Sequence, residues 1–367
     1  MPVPYRTTES MAAMPCVTRP GNRHGQALSR REKNMAGLGR GLRAAIVVPS
    51  LVALGLFVIK QPQMAGYSVF GTFAHLVIVN YAPNQSRRSL EAVTLTLVGA
   101  ILVVLGGLIS LNSVTAVTGA MIAGFLSKYP ALAKGHFATV RNALLLAFMM
   151  AVAVPTSLHY LLPELAGWLL AGFVAQPALR LLWMPIRPEE TNDQVPTTGE
   201  TTDISPNWWK DASCIGLAMG LAILAARALN LNHAFWVVLG VLPVLSATDV
   251  SPSHMFWKEQ AGTFFGFLVA VALVICLGAH QFGYWFLLPC VIFFSAFASS
   301  AIGVVATQAG FTVFAVVLFC ILTQSDKQVG ILRVEDIAVG GMLSLFVATL
   351  QRFGQSKAEL MTTHFCG

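Results

Sequence analysis

The sequence predicts an all-α integral membrane protein with about 12 transmembrane helices in two parallel six-helix repeats and both termini cytoplasmic. Three observations predict it. Of 367 residues, 56% are hydrophobic and only 11% charged, less than half the charged share of an ordinary soluble domain. Apolar runs long enough to cross a hydrocarbon core, ~20 residues each, recur from about residue 41 to about residue 350. Basic residues fall unevenly into alternate loops, as the positive-inside rule requires.

Residues 1–40 are expected to form a basic, disordered cytoplasmic tail. Arg6, Arg19, Arg23, Arg30, Arg31, Lys33, Arg40 and Arg43 precede or abut the first run, a pattern that holds an N-terminus in the cytoplasm. The first membrane half, 41–186, carries runs near 41–59, 62–80, 90–110, 113–127, 137–157 and 161–183, the fourth short enough to be tilted or re-entrant. A polar, acidic linker with several prolines occupies 187–208, and Trp208 at its end forms an interfacial anchor with Trp209 and Lys210. The second half, 209–352, has runs near 209–228, 232–248, 259–278, 283–299, 302–323 and 332–351, followed by a short cytoplasmic tail, 353–367. With the tail inside, 19 of the 23 Lys/Arg lie on the cytoplasmic side, and only Lys60, Arg227, Lys327 and Arg333 lie opposite.

A shift of about 168 residues superimposes the two sets of runs. Arg43-Ala44 meets Asp211-Ala212, Ala138-Thr139 meets Ala306-Thr307, and Gly172 meets Gly340. Halves with an even number of spans start from the same face, so the repeats are parallel, related by an axis along the membrane normal.

The formal charge of +7 is spread over the tail and loops, which argues for membrane orientation and against nucleic-acid binding. No Walker loop, Gly-x-Ser-x-Gly, His-Glu-x-x-His or dinucleotide fingerprint is present, so the sequence gives no sign of an enzyme or of nucleotide hydrolysis on this chain. Six cysteines contain no Cys-x-x-Cys pair, and neither a metal site nor any cofactor is expected.

Polar groups within apolar runs are costly and therefore mark function by default. His75, in FGTFAHLVIVN, is a candidate for the substrate pathway or for carrying a proton; the alternative is a neutral histidine bonded to a neighbouring helix. His233, Trp236 and Thr307 are the other pathway candidates. Acids near run ends (Glu91, Glu164, Asp249, Glu259, Glu335 and Asp336) read mostly as interfacial. Among them Asp249, Glu259, Glu335 and Asp336, with Lys258 and Arg333, are candidates for proton transfer or ion pairing. Pro243 is expected to interrupt the eighth run and free a backbone carbonyl. Gly216 with Gly220, and Gly262 with Gly266, are small-xxx-small pairs that suit close helix packing.

These stretches carry a resemblance. His233-Ala234-Phe235-Trp236 and Gly262-Thr263-Phe264-Phe265-Gly266 resemble the fusaric acid resistance family, related to aromatic acid exporters and to plant aluminium-activated malate transporters. Phe70-Gly71-Thr72-Phe73-Ala74 followed by Arg87-Arg88 is similar to that family's first membrane half, and Arg333-x-x-Asp336-x-x-x-Gly340 to its closing helix. The family pattern has an arginine three residues before the Gly-Thr, where this chain has Glu259. The resemblance implies a secondary transporter that exports organic anions, such as aromatic carboxylic acids, across a bacterial inner membrane. The alternatives are a passive anion channel or a non-transporting membrane subunit. Expected partners are the lipid bilayer and a small organic anion; a periplasmic adaptor and a homo-oligomer remain open, and no nucleic acid is expected.

Overall fold

Each apolar run folds as a helix because a backbone in hydrocarbon must satisfy its own hydrogen bonds. The computed structural model describes residues 23–82, 84–133, 135–155, 157–181, 208–229, 231, 235–246, 251–278, 280–323 and 336–350. In the first half these are α1 (Arg23–Ala53), α2 (Pro62–Phe73), α3 (Gln85–Ser110), α4 (Ser113–Leu126), α5 (Gly135–Ala153) and α6 (Leu158–Leu181). In the second they are α7 (Trp208–Ala228), α8 (Phe235–Ser246), α9 (Pro252–Leu277), α10 (Gln281–Ala301), α11 (Val304–Thr323) and α12 (Asp336–Leu350). Polar caps set several starts: Asn84 accepts from the Ser86 amide at 2.9 Å, Asn112 from that of Val114 at 2.8 Å, and proline opens α2 and α9.

The 12 described helices coincide with the 12 expected runs, but only eight are long and apolar enough to cross a membrane by themselves. α4, at 14 residues, and α12 are among the shorter ones, which agrees with the expectation for the fourth run. Three features differ from the sequence reading. α1 begins at Arg23, so helix occupies 23–40 where a disordered tail was expected, because no proline separates this stretch from the apolar run and the helix propagates back through it. α8 continues through Pro243 to Ser246 without a break, because proline removes one hydrogen bond but the helix can propagate past it. The irregular backbone lies instead in the first half, where α1 and α2 each run on as π-helix, over Leu54–Ile59 and Ala74–Ile78.

The helices pair in matching ways in the two halves. α3 packs along α5 and α9 along α11; α4 packs on α7 and α10 on α1. α2 lies against α6, and α8 against α12, where a Cβ on Gly240 would fall 2.7 Å from the Ile337 carbonyl. Arg40, midway along α1, meets Asn80 beyond α2 and Ser300 near the end of α10, gathering these last two ends on one face. Arg227 at the end of α7 donates to the carbonyls of Ser110 (2.6 Å) and Val152 (3.3 Å), gathering the ends of α3, α5 and α7 on the other. Large apolar side chains stand exposed along the outer faces, Leu97, Ile101 and Leu105 on α3 and Phe264, Leu268 and Ile275 on α9, as lipid-facing surfaces require.

Candidate functional site

The two halves meet along an aromatic seam. Phe70 of α2 packs edge-on against Phe235 and Trp236 of α8, with centroids 5.0 and 6.0 Å apart. Trp236 in turn meets Phe311 of α11 at 6.0 Å, and Phe311 meets Phe73 of α2 at 4.9 Å. Aromatic pairs at these separations interact beyond their area burial by ~0.5–1.5 kcal/mol each. The seam therefore fixes α2 against α8 and α11.

Beside it lies a cavity of about 330 Å³, lined from the first half by Tyr67, Phe70, Met150 and Glu164 and from the second by Phe235, Trp236, Leu318 and Phe319. Its lining comes from the starts of α2, α6 and α8 and the ends of α5 and α11, all at one end of the bundle. In the topology expected from the basic residues that end faces away from the cytoplasm. The volume falls at the lower end of small-ligand sites, ~300–1,000 Å³.

Glu164 is the one acid in this lining and is 1% exposed. The Tyr67 phenol bonds with its carboxyl group, while Oε2 is buried without a hydrogen-bond partner. A carboxyl group placed this way can hold or release a proton at Oε2 within an otherwise apolar, aromatic chamber.

Of the residues singled out in the sequence, Trp236 lines the cavity and is 2% exposed. His75 is fully buried in the π-helical end of α2, outside the lining. Its Nδ1 lies 3.1 Å from the Tyr81 hydroxyl and its Nε2 3.5 Å from that of Thr96, with the Trp168 ring beside it. Thr307 donates to the Gly303 carbonyl at 2.9 Å in the first turn of α11, away from the cavity. Glu259 is buried and accepts from Gln308 Nε2 at 3.0 Å, joining α9 to α11. Lys258 is half-buried beside it, and Asp336 is buried at the start of α12. Gly216 and Gly220 face α4, with a Gly216 Cβ 2.7 Å from the Met121 carbonyl; Gly262 and Gly266 face α11, opposite Val305 and Ala309. His233, Asp249, Arg333 and Glu335, like most of the linker and the C-terminal tail, lie outside the described residues.

The sequence reading grouped Glu164 with interfacial acids because it stands four residues into an apolar run. The available signal was its neighbourhood: Pro163-Glu164 inside a helix that starts at Leu158 and continues through Gly167 and Trp168. Among the described residues no group of three or more His, Cys, Asp or Glu could hold a metal ion.

A bundle of apolar helices with lipid-type outer faces and a chamber between its halves defines a multi-pass α-helical membrane protein. Within it, residues 221–347 match the family described as fusaric acid resistance protein-like, so the resemblance read in the sequence holds for the second half, including Trp236 and the Gly262–Gly266 segment. This match over part of the chain is consistent with a transporter. No curated protein and no solved structure matches the chain.

Proposed function

We propose that the protein is a secondary transporter of the bacterial inner membrane that exports organic anions, aromatic carboxylic acids foremost, through the cavity between its halves. The observation that carries this reading is the cavity itself: aromatic walls from both halves, with Trp236 supplied by the family-matched segment. Flat aromatic solutes stack on such walls. The matching helix pairs α3–α5 with α9–α11 and α4–α7 with α10–α1 support two parallel repeats, the arrangement in which one half rocks against the other about a site between them. An inside-negative potential drives any anion outward by ~2.3 kcal/mol per charge per 100 mV.

Glu164 gives the cavity its dependence on protons. Protonated, it donates from Oε2 to a carboxylate; ionised, it repels one across an apolar space. By linkage, proton and substrate favour each other's binding. The sign follows: carboxylate affinity on this face rises as pH falls through the titration of Glu164.

The test is transport by the full chain in proteoliposomes, with benzoate as the probe and pH and potential imposed separately. Benzoate flux above that of protein-free vesicles is expected, reduced about tenfold or more by Trp236→Ala, in line with loss of a central aromatic contact worth ~1–2 kcal/mol. Glu164→Gln should retain flux but flatten its pH dependence. Flux that only follows the electrochemical gradient and is indifferent to both substitutions identifies a passive channel, and no flux in a folded protein identifies a non-transporting subunit.

A further inference from the structure

A second cavity, of about 320 Å³, lies wholly within the first half among α3, α4 and α5. It exists because α4 leans away from α3 and α5 onto α7. Gly124 and Gly216 let those two helices come so close that a Cβ on Gly124 would lie 2.9 Å from the Gly216 Cα. The space left behind is walled by Val98, Leu102, Leu144 and Phe148, and two of its lining residues, Ile122 and Leu126, are 54% and 44% exposed on the outer side of α4. It therefore opens sideways, toward lipid.

One cation lines this apolar space. Arg141 stands about two turns into α5, its Nε buried without a hydrogen-bond partner, and no described carboxylate forms a salt bridge with it. Glu91, the buried acid of α3, is engaged elsewhere, by Thr139 at 3.1 Å, the Ala82 amide at 3.0 Å and Arg87 at 3.4 Å. Lys128 lies in the loop after α4, where burial first and then repulsion from the nearby Arg141 pull its ammonium below the ordinary value, with Asp211 opposing. Two cations thus sit together at the tail-side end of a hydrocarbon-like space.

The second half supplies an internal control. A cavity of about 350 Å³ lies among α9, α10 and α11, the counterparts of α3, α4 and α5. At the shift of about 168 residues its walls coincide with those of the first: Ile122 with Cys290, Ala123 with Val291, Leu126 with Phe294, and Leu145 with Val313. Arg141 coincides with Ala309. A cavity of similar volume, with walls at corresponding positions, is built there without a cation, so enclosing such a space does not require Arg141.

We infer that the α3–α4–α5 cavity binds an anionic phospholipid of the surrounding bilayer, one acyl chain lying along its apolar walls and the phosphate resting on Arg141 and Lys128. A charge at this depth is costly unless paired, and basic pockets between helices on the cytoplasmic side suit lipid phosphates. The lateral opening favours lipid over an aqueous anion, because the bilayer presents acyl chains there at high local concentration. The inference needs the chain to span a bilayer, but not any particular exported substrate.

Native mass spectrometry of the full chain in mild detergent, titrated with phosphatidylglycerol or phosphatidylcholine, tests it. Preferential retention of phosphatidylglycerol is expected, falling about fivefold for each cation removed by Arg141→Gln or Lys128→Gln. Arg141→Lys should restore part of it. Ala123→Phe, which fills the space and leaves both cations, should also abolish it, whereas Ala309→Arg should create a second retained phosphatidylglycerol. Equal retention of the two lipids, or undiminished retention in the folded Arg141→Gln/Lys128→Gln variant, overturns the inference. So does displacement of phosphatidylglycerol by equimolar dodecanoate, which would assign the site to a free carboxylate.

Discussion

The α3–α4–α5 cavity and its α9–α10–α11 counterpart have walls at matching positions and differ in one charge, Arg141 in the first and Ala309 in the second. Another matched pair has kept its charge: at the same shift Glu91 coincides with Glu259, both fully buried near the tail-side ends of α3 and α9. Each accepts a hydrogen bond across to the next-but-one helix, from Thr139 on α5 and from Gln308 on α11. The pairing is what two halves built on one frame would show: in each, a buried carboxylate ties the third helix to the fifth, while the charge at Arg141 is present in one half alone. Glu259, where the resembled pattern has arginine, makes the same kind of helix-to-helix link as Glu91.

The comparison can be broken most sharply at the glycines that match at the same shift, Gly172 and Gly340. A Cβ on Gly340 would collide with the backbone carbonyl of Val237, whereas one on Gly172 would collide with the side chain of Thr96. Overpacking costs ~1–3 kcal/mol and more where backbone must move. Gly340→Ala should therefore give the largest loss of thermal stability in detergent. Gly172→Ala should lose less and be partly rescued by Thr96→Ala, while no single side-chain substitution rescues Gly340→Ala. Equal losses with rescue at both sites would mean that α8 and α12 are not held backbone to backbone.

Next in size is the frame carboxylate of the first half. Glu91→Ala removes the acceptor for the Ala82 amide and for Thr139, both part-buried, and each loses a hydrogen bond to a charged group worth ~1.5–3 kcal/mol. Glu91→Gln keeps an acceptor and sacrifices chiefly the pair with the half-exposed Arg87, worth ~0–1 kcal/mol. Unfolding midpoints should order as wild type, Glu91→Gln, then Glu91→Ala, with the second step the larger. If the two variants are equally unstable, charge rather than acceptor count holds α3 to α5.

How much of this was legible beforehand follows from what hydropathy can encode. All 12 described helices, including the short α4, overlap the apolar runs that announced them, because span-length apolarity is a one-dimensional property, whereas the start of α1 at Arg23, inside the polar tail, was not announced. Trp236 was legible because it belongs to a motif. Glu164 and Arg141 were not, since both stand near the ends of runs, where a charge ordinarily reaches water. Their burial depends on which face of α6 meets Tyr67 and on α4 leaning toward α7, and those are choices of three-dimensional packing. Pro243 misled in the opposite direction: α8 runs through it, and the π-helical stretches fall in α1, just beyond Pro49, and in α2.

The smallest expected effect separates two buried groups of the first half. His75 has no histidine counterpart; Pro243 occupies its position in the second half, so whatever His75 does is not part of the shared frame. Its contacts are one hydrogen bond of ordinary length, to Tyr81, and one at the outer limit, to Thr96. Neutral bonds of this kind contribute ~0.5–1.5 kcal/mol net, and glutamine can still reach one of the two hydroxyls. His75→Gln should thus shift the unfolding midpoint slightly and leave benzoate flux within a few-fold of wild type, with its pH dependence intact. A folded His75→Gln protein whose flux no longer responds to pH, alongside a Glu164→Gln protein whose flux still does, would move proton handling from the cavity wall to the π-helical end of α2. That outcome would also give the π-helix over Ala74–Ile78 a function, since it sets the backbone that carries the His75 ring toward Tyr81 and Thr96.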